Sequence, residues 1–466
     1  MKPKDEITFN TPLTAPHGWN APGEPVTLYT GAFSGFPGGV RLGKVELTFG
    51  VKPGLKWSVE LRDEDYLGLL PDHAVATVGR TLPAKFMASH RRNGSGWTQS
   101  AEAGDPDTPL QRIVAQWMNL PLSVGNAHLE EKTAAGVRRS NGRSFIEVEG
   151  WTVTIDQRFD LSAVLRTAAD DTQSVLTHVM ELRRTDDKPF SVAEGRDLLE
   201  CLRVSLSFGF GRKVAPVLPV GYGSDGMVAW EQWFSPLVDS AKTSGMEWLF
   251  DASPDDCADL LSCAVRAFSD RSLMGTTRLQ MAMATQAVST GFVEQRILAA
   301  APVLESLAWS RLVLGGLMTR RQYRDCHAED RLRYLLDSAG VPTTIDAAEL
   351  PALAQYAAAK RIDGPTAVTR IRNHLVHPEV LADDLYAHKG LAAEVWRLSL
   401  HYVTLLLLHS IGYRGSYQRH LKLDGWVGDT EATPWTDPAT APAGPIPLPT
   451  TGRRAHPRRA SQAPTS

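Results

Sequence analysis

Cysteine is scarce in this chain, and none of it is arranged for zinc. Four Cys occur in 466 residues, at positions 201, 257, 263 and 326, without a Cys-x-x-Cys pair. So few cysteines exclude a disulfide framework and a Cys-based zinc site. The sequence therefore suggests a reducing compartment, in which the thiols are small buried apolar groups.

Long apolar runs and net charge are also missing. The first residues, MKPKDEITFN, lack the apolar core of a signal peptide. The longest apolar run, YVTLLLL at 402–408, is far shorter than the roughly 20 residues of a membrane span. We therefore expect a cytoplasmic protein without membrane contact. The net charge of -3 argues against coating nucleic acid through the overall field, but it leaves room for a small basic cleft.

Period-two patterns dominate the first part of the chain. In VRLGKVELTFG, Val45, Leu47 and Phe49 alternate with polar residues, and LKWSVEL (55–61) and FIEVEGWTVTI (145–155) repeat this pattern. Alternation of this kind is typical of strands that bury one face. Clusters of Gly and Pro between the runs supply turns.

The patterns predict an α+β protein: a β-rich N-terminal domain, then an all-α helical bundle and a disordered C-terminal tail. The expected boundaries are 1–190 for the β-rich domain, 191–254 for a mixed, aromatic-rich connection, 255–428 for the bundle and 429–466 for the tail. Apolar residues recur at helical spacing through the bundle, whereas the tail is rich in Pro, Ala and Thr.

Local signals inside these regions give four further expectations. SVAE (191–194) is a capping box that starts a helix, whereas VSLSFGFGRK (204–213) has the pattern of a strand interrupted by Gly. The aromatic residues between 230 and 250 suit a core better than a base-stacking platform, because basic residues are not interleaved with them. Pro302 should kink or restart its helix.

The stretch TRIRNHLVHPEV (369–380) carries an unusual cluster for the end of an apolar helix. Asn373 and His377 are four residues apart and share a helix face, and the long side chain of Arg372 can reach the same surface. Pro378 disfavours helical geometry at His377, so the helix should end there. An imidazole, a guanidinium and a carboxamide are thus expected together near water.

These three groups suit cleavage of RNA by its own 2′-OH. His377 would move protons, Arg372 would grip a phosphate and stabilise developing charge, and Asn373 would position the reacting groups. This chemistry needs neither a metal nor a cofactor, and no carboxylate cluster with metal-ligand spacing stands out. One His would have to act as acid and base, a difficulty that a symmetric homodimer removes.

RNHLVH (372–377) resembles the signature of the HEPN ribonuclease superfamily: Arg, a polar residue, three variable residues and His. The resemblance covers roughly 270–425. It implies a helical bundle that dimerises through facing motifs, an RNA substrate, and Arg372, Asn373 and His377 as catalytic residues. Glu305 in VLESL is similar in placement to an acidic residue that holds the motif Arg in some members.

The layout of the whole chain resembles ApeA-like abortive-infection proteins of the same superfamily. That similarity implies an N-terminal domain that senses a phage-derived trigger, and a C-terminal bundle that destroys RNA. Two rival hypotheses remain open. The bundle could be an inactive scaffold that binds RNA or protein, or a toxin restrained by a partner subunit.

Alternative interpretations of single motifs also remain open. Asn373 and His377 could satisfy carbonyls at a helix end, while Arg372 pairs with Asp346 or Asp363. Other stretches carry weaker signals, and we expect no site in any of them: the Arg/His pairs of RQYRDCH (321–327) and RGSYQRH (414–420), the turn-like FGFGRK (208–213), and the adjacent Cys326 and His327.

Overall fold

The structure is a computed structural model, and its residues group by contacts into two compact units. Unit 1 comprises Met1–Ser289 and Gly415–Gln418, and unit 2 comprises Thr290–Arg414 and Arg419–Ser466. The residues that the structure describes are 7–36, 39–49, 53–60, 76–77, 81–82, 85–89, 93–98, 100–121, 125–234, 237–241, 246–289, 291–377, 383–421 and 428–436.

Unit 1 is rich in strands, as the sequence predicts. Its strands are β1 Phe9–Asn10, β2 Val26–Phe36, β3 Gly39–Phe49, β4 Pro53–Glu60, β5 Ala76–Thr77, β6 Thr81–Leu82, β7 Lys85–Ser89, β8 Asn93–Thr98, β9 Ser100–Gly104, β10 Arg112–Met118, β11 Ala127–Thr133, β12 Gly136–Val148, β13 Trp151–Gln157, β14 Leu176–Arg184, β15 Ala215–Tyr222 and β16 Val228–Phe234, with β17 Ser416–Gln418 added from later in the chain.

Two sheets account for most of these strands among the described residues. The larger has nine strands in the order β1-β11-β12-β13-β14-β10-β15-β16-β9, and the smaller has five in the order β2-β3-β4-β8-β7. Val45, Leu47, Leu55 and Trp57 lie in one buried cluster, with Phe49 packed against it. The predicted alternation is therefore confirmed where the structure describes it, and Leu61 lies outside the described residues.

FIEVEGWTVTI forms two strands rather than one. Val148 pairs with Trp151 across a two-residue turn at Glu149 and Gly150. Both turn residues have positive φ, 46° and 77°, as in a type I′ hairpin. The apolar residues accordingly shift from even positions before the turn to odd positions after it. That shift keeps both strands facing the same core.

Unit 1 also holds four helices among the described residues. They are α1 Leu161–Asp170, α2 Val192–Gly209, α3 Pro254–Ser269 and α4 Met274–Val288. The predicted capping box at the start of α2 is present, with Ser191 accepting from the Glu194 backbone. Helices α3 and α4, which were expected to open the bundle, group by contacts with unit 1.

The strand predicted for VSLSFGFGRK is wrong, because α2 continues to Gly209. Every residue from Val204 to Gly209 is buried, including Ser205 and Ser207, so this end of the helix lacks an exposed face and therefore the 3.6-residue pattern. A Cβ at Gly209 would lie 2.9 Å from Leu249 Cδ2, so the helix packs closely at that point. Trp230, Trp233 and Trp248 are buried in the same unit, as predicted for core aromatics.

Unit 2 is the helical region predicted for the C-terminal part of the chain. Its helices are α5 Val293–Trp309, α6 Arg320–Asp325, α7 Ala328–Ser338, α8 Pro351–Lys360, α9 Gly364–Val376, α10 Asp383–Tyr386 and α11 Leu391–Ile411. A π-helical turn, Ser310–Leu314, follows α5. Pro302 lies inside α5 and does not restart it.

Helix α11 is the core helix of unit 2. Its residues from Leu398 to Leu408 are all buried, and α11 packs against α5, α8, α9 and α10. The remaining elements are β18 Thr430–Ala432 and a short 3-10 turn, Pro434–Thr436. Trp435 Nε1 donates to the Tyr413 carbonyl at 2.7 Å. This bond holds Trp435, near the start of the stretch predicted to be disordered, against the rest of unit 2. Residues 437–466 lie outside the described residues.

Two helices in the described part of the chain are long and apolar enough to cross a membrane, by length and composition alone. They are Val293–Leu314 and Leu391–Ile411, of 22 and 21 residues. The sequence argument missed them because it counted only uninterrupted apolar residues. A buried core helix passes the same test, and 78% of the apolar window in Leu391–Ile411 is buried.

Candidate functional site

The helix that carries the RNHLVH motif, α9, begins at a firmly held cap. Asp363 is its N-cap and accepts from the Thr366 backbone at 3.1 Å and the Thr366 hydroxyl at 2.6 Å. Arg333 from α7 donates to both oxygens of the same carboxylate, at 2.8 and 3.1 Å. Burial raises the pKa of Asp363, but these hydrogen bonds outweigh it and leave the pKa below its ordinary value.

The helix ends at His377, as Pro378 in the sequence predicts. His377 leaves the helical region with φ -104° and ψ 116°, and its backbone N–H donates to the Asn373 carbonyl at 2.9 Å. Its side chain is exposed, whereas Arg372 and Asn373 are half-buried. The imidazole therefore sits at a wet helix end, and Pro378 itself lies outside the described residues.

Arg372 and Asn373 contact each other directly. Arg372 Nη1 donates to Asn373 Oδ1 at 3.0 Å. This bond occupies the Asn373 oxygen and leaves its amide N–H groups as donors. Among the described residues, no carboxylate lies within 4.0 Å of the Arg372 guanidinium. The pair therefore offers a permanent positive charge and an amide donor on one surface.

A small cleft opens beside this pair. It has a volume of about 60 Å³ and lies between α5, α7 and α9. Its polar lining consists of Glu305, Arg331, Thr369, Arg372 and Asn373, and the rest is apolar. His377 is outside the lining. The structure thus brings two of the three predicted catalytic residues into one cleft and places the third on the adjacent surface.

The resemblance implies that Glu305 holds Arg372, and the structure does not show this contact. Glu305 contacts Arg331 rather than Arg372, with Arg331 Nη1 to Glu305 Oε2 at 3.2 Å. Tyr323 donates its hydroxyl to Glu305 Oε2 at 3.1 Å. Burial and the Glu305 charge raise the pKa of Tyr323, so its hydroxyl remains a donor.

The alternative in which Arg372 pairs with Asp346 or Asp363 also receives no support. Asp363 is engaged by Arg333, and Asp346 accepts from the Ala348 backbone at 2.8 Å. Neither carboxylate lies within ion-pair distance of Arg372. The bond from the His377 backbone N–H to the Asn373 carbonyl is the last main-chain bond of the helix and does not involve the imidazole.

Residues of each of the weaker motifs are buried or bonded within the fold, which suits a structural role. Arg212 in FGFGRK is buried and donates to three backbone carbonyls, those of Asn119, Ser240 and Ala241. His420 is buried beside Thr404, at 3.0 Å, which makes it unlike an exposed catalytic His. Burial also raises the pKa of the Cys326 thiol, so that it stays protonated.

One cleft residue, Arg331, is absent from the sequence-based prediction. It comes from α7, whereas Glu305 comes from α5 and Arg372 from α9, so no spacing along the chain links them. Among the described residues, no three His, Cys, Asp or Glu side chains are grouped so that they could hold a metal ion.

Comparisons with known proteins match the central and C-terminal parts of the chain. Residues 105–244 match the model of the YopA central domain, and residues 280–432 match that of the YopA C-terminal domain. A relative from Bacillus subtilis (strain 168), the SPbeta prophage-derived uncharacterized protein YopA, is 26% identical over 333 residues. The match covers 71% of this chain and 73% of the relative. No solved structure matches. Over both regions, the chain is therefore similar to YopA.

Proposed function

We propose that this protein is a metal-independent endoribonuclease of the HEPN type. The observation that carries the proposal is the guanidinium of Arg372: it is half-buried, bonded to the Asn373 amide and without a carboxylate among the described residues. A cation held in this way suits a phosphate that brings the missing negative charge. The exposed His377 at the end of the same helix supplies an imidazole outside the cleft lining.

The proposed reaction is attack of an RNA 2′-oxygen on its own 3′-phosphate. His377 removes the 2′-OH proton, the new O2′–P bond forms, and the bond from phosphorus to the 5′-oxygen breaks. Arg372 and the Asn373 amide donate to the phosphate oxygens, on which negative charge grows. The leaving 5′-oxygen takes a proton from a second imidazole. The products are a 2′,3′-cyclic phosphate and a 5′-OH end.

A homodimer would supply the second imidazole. Two copies related by a two-fold axis would bring two copies of His377 to one RNA strand, so that one acts as base and the other as acid. The exposure of His377 in the single chain supports this arrangement, because a side chain at an interface must be accessible before association.

The biological role that we propose is antiviral. The β-rich unit 1 would sense a phage-derived trigger in the cytoplasm, and unit 2 would then cleave RNA. A phage challenge of cells that carry wild type or His377→Ala tests it, with protection expected only from the wild type.

Product analysis tests the chemistry. Purified protein is incubated in EDTA with RNA, and with the same sequence carrying a 2′-deoxy residue at the mapped cleavage site. The proposal predicts cleavage of the RNA alone and 2′,3′-cyclic phosphate ends. Cleavage of the 2′-deoxy substrate at the same bond, or 3′-OH ends, would refute attack by the 2′-oxygen.

One observation favours a second candidate, an inactive HEPN-like scaffold that binds RNA or protein. His377 does not line the cleft that contains Arg372 and Asn373. If His377→Ala binds RNA as wild type does, and neither protein cleaves RNA or protects cells, the scaffold is the better account.

A further inference from the structure

The cleft contains a second guanidinium whose partner can be displaced. The side chain of Arg331 is 11% exposed, and that of its partner Glu305 is 47% exposed. The two pair through both Arg331 Nη atoms, Nη1 at 3.2 Å and Nη2 at 3.5 Å from the Glu305 oxygens. An ion pair that is open to water on the carboxylate side is weak, so a stronger anion can replace Glu305.

Arg331 would stay in place after Glu305 moved away. Its guanidinium lies 4.1 Å from the centre of the Tyr323 ring, and its Nε is 3.4 Å from the His327 carbonyl. Tyr323 is itself supported by Trp309, with ring centroids 5.0 Å apart. These contacts hold Arg331 from the sides that do not face the cleft. A largely buried, pre-positioned guanidinium loses little freedom when it binds an anion.

We infer that Arg331, beside Arg372 in the same cleft, is an anion subsite that the Glu305 carboxylate occupies in this structure, and that an RNA phosphate takes the place of that carboxylate. The two arginines line the same cleft from α7 and α9, with Asn373 and Thr369 as neutral donors beside them. The subsite takes a phosphate next to the one that is cleaved. Glu305 thus balances the charge of Arg331 until RNA enters.

This inference rests on the proposed function only for the identity of the anion, so two probes are used. Pyrophosphate tests the subsite without RNA. A single-stranded RNA with 2′-O-methyl groups cannot react and tests RNA binding without cleavage. The variant is Glu305→Gln, which keeps the size of the side chain and removes its charge. Glu329→Gln is the matched control, because it changes the net charge equally from outside the cleft lining.

We expect Glu305→Gln to bind both probes about fivefold more tightly than wild type, the gain that loss of a half-exposed ion pair allows. Glu329→Gln should match wild type. Equal affinities of Glu305→Gln and Glu329→Gln for pyrophosphate would overturn the inference.

A double variant tests whether the tighter binding by Glu305→Gln depends on Arg331. Glu305→Gln with Arg331→Gln removes both charges without leaving an unpaired buried one, so it is a milder change than Arg331→Gln alone. The double variant should bind the probes no more tightly than wild type. Tighter binding by the double variant would overturn the role of Arg331. If the double variant melts early, the comparison of Glu305→Gln with Glu329→Gln still decides. Tighter binding of pyrophosphate without any binding of RNA would overturn RNA as the occupant.

Discussion

Acidification should destabilise unit 2 through two buried imidazoles. His401 lies in the middle of α11 and His420 follows that helix, and their residues are 5% and 4% exposed. Burial lowers the pKa of both to about 3, and for His401 the charges of His420 and Arg419 add to this effect. Both are therefore neutral in the folded protein at any physiological pH.

The sign and size of the effect follow from these pKa values. The unfolded chain binds a proton at each His below a pH of about 6.5, whereas the folded chain resists protonation until about 3. The stability contributed by each neutral His is thus complete above 6.5 and falls as the pH drops below it. At pH 5.5 the loss is about 1–2 kcal/mol for each His, or about 3 kcal/mol for the pair.

Hydrogen exchange of peptides from α11, corrected for the intrinsic effect of pH, measures this loss inside unit 2. Wild type and His420→Gln are compared at pH 7.5 and 5.5, since Gln can keep the hydrogen bond to Thr404 but does not titrate. The variant should lose about half as much stability as wild type between the two pH values. Equal losses would refute the assignment of this pH dependence to His420.

Two further predictions concern the start of the site helix. Asp363→Ala removes the N-cap and the Arg333 pair and should cost about 1–3 kcal/mol of unfolding free energy, whereas Asp363→Asn keeps the cap and should cost under half of that. Equal costs in urea titration would mean that the cap is unimportant. Gly364→Ala would place a Cβ 2.2 Å from the buried Tyr402 hydroxyl and should cost about 1–3 kcal/mol. Gly275→Ala is the control, because a Cβ added there would meet nothing within 4 Å. It should lower Tm little, and melting curves of the two variants check the difference.

The elements that could be predicted from the sequence have one solvent-exposed face or a residue that marks where the element ends. Val45 and Leu47 are buried and alternate with polar, less buried neighbours, so their strand is visible in the sequence. The end of α9 at His377 was predictable because Pro378 follows it. By contrast, the end of α2 from Val204 to Gly209 is buried on every side, and helical periodicity disappears when no face is exposed.

The site was predictable only in part, for a similar reason. Arg372 and Asn373 are adjacent in sequence, and their joint surface follows from helix geometry. The contact between Glu305 and Arg331 joins two helices, and only tertiary packing decides which arginine the carboxylate meets. The volume of the cleft and the position of His377 outside it also depend on how α5, α7 and α9 pack.

The most direct test of the account is the rate of RNA cleavage in EDTA, measured for wild type and for Arg372→Ala and His377→Ala. Arg321→Ala and His327→Ala serve as matched controls, because RQYRDCH repeats the Arg and His at a similar spacing and Arg321 has a 92% exposed side chain. The account predicts that wild type and both controls cleave RNA, while Arg372→Ala and His377→Ala, folded by circular dichroism, lose at least about 100-fold in rate. Cleavage at the wild-type rate by either of these two variants would contradict it.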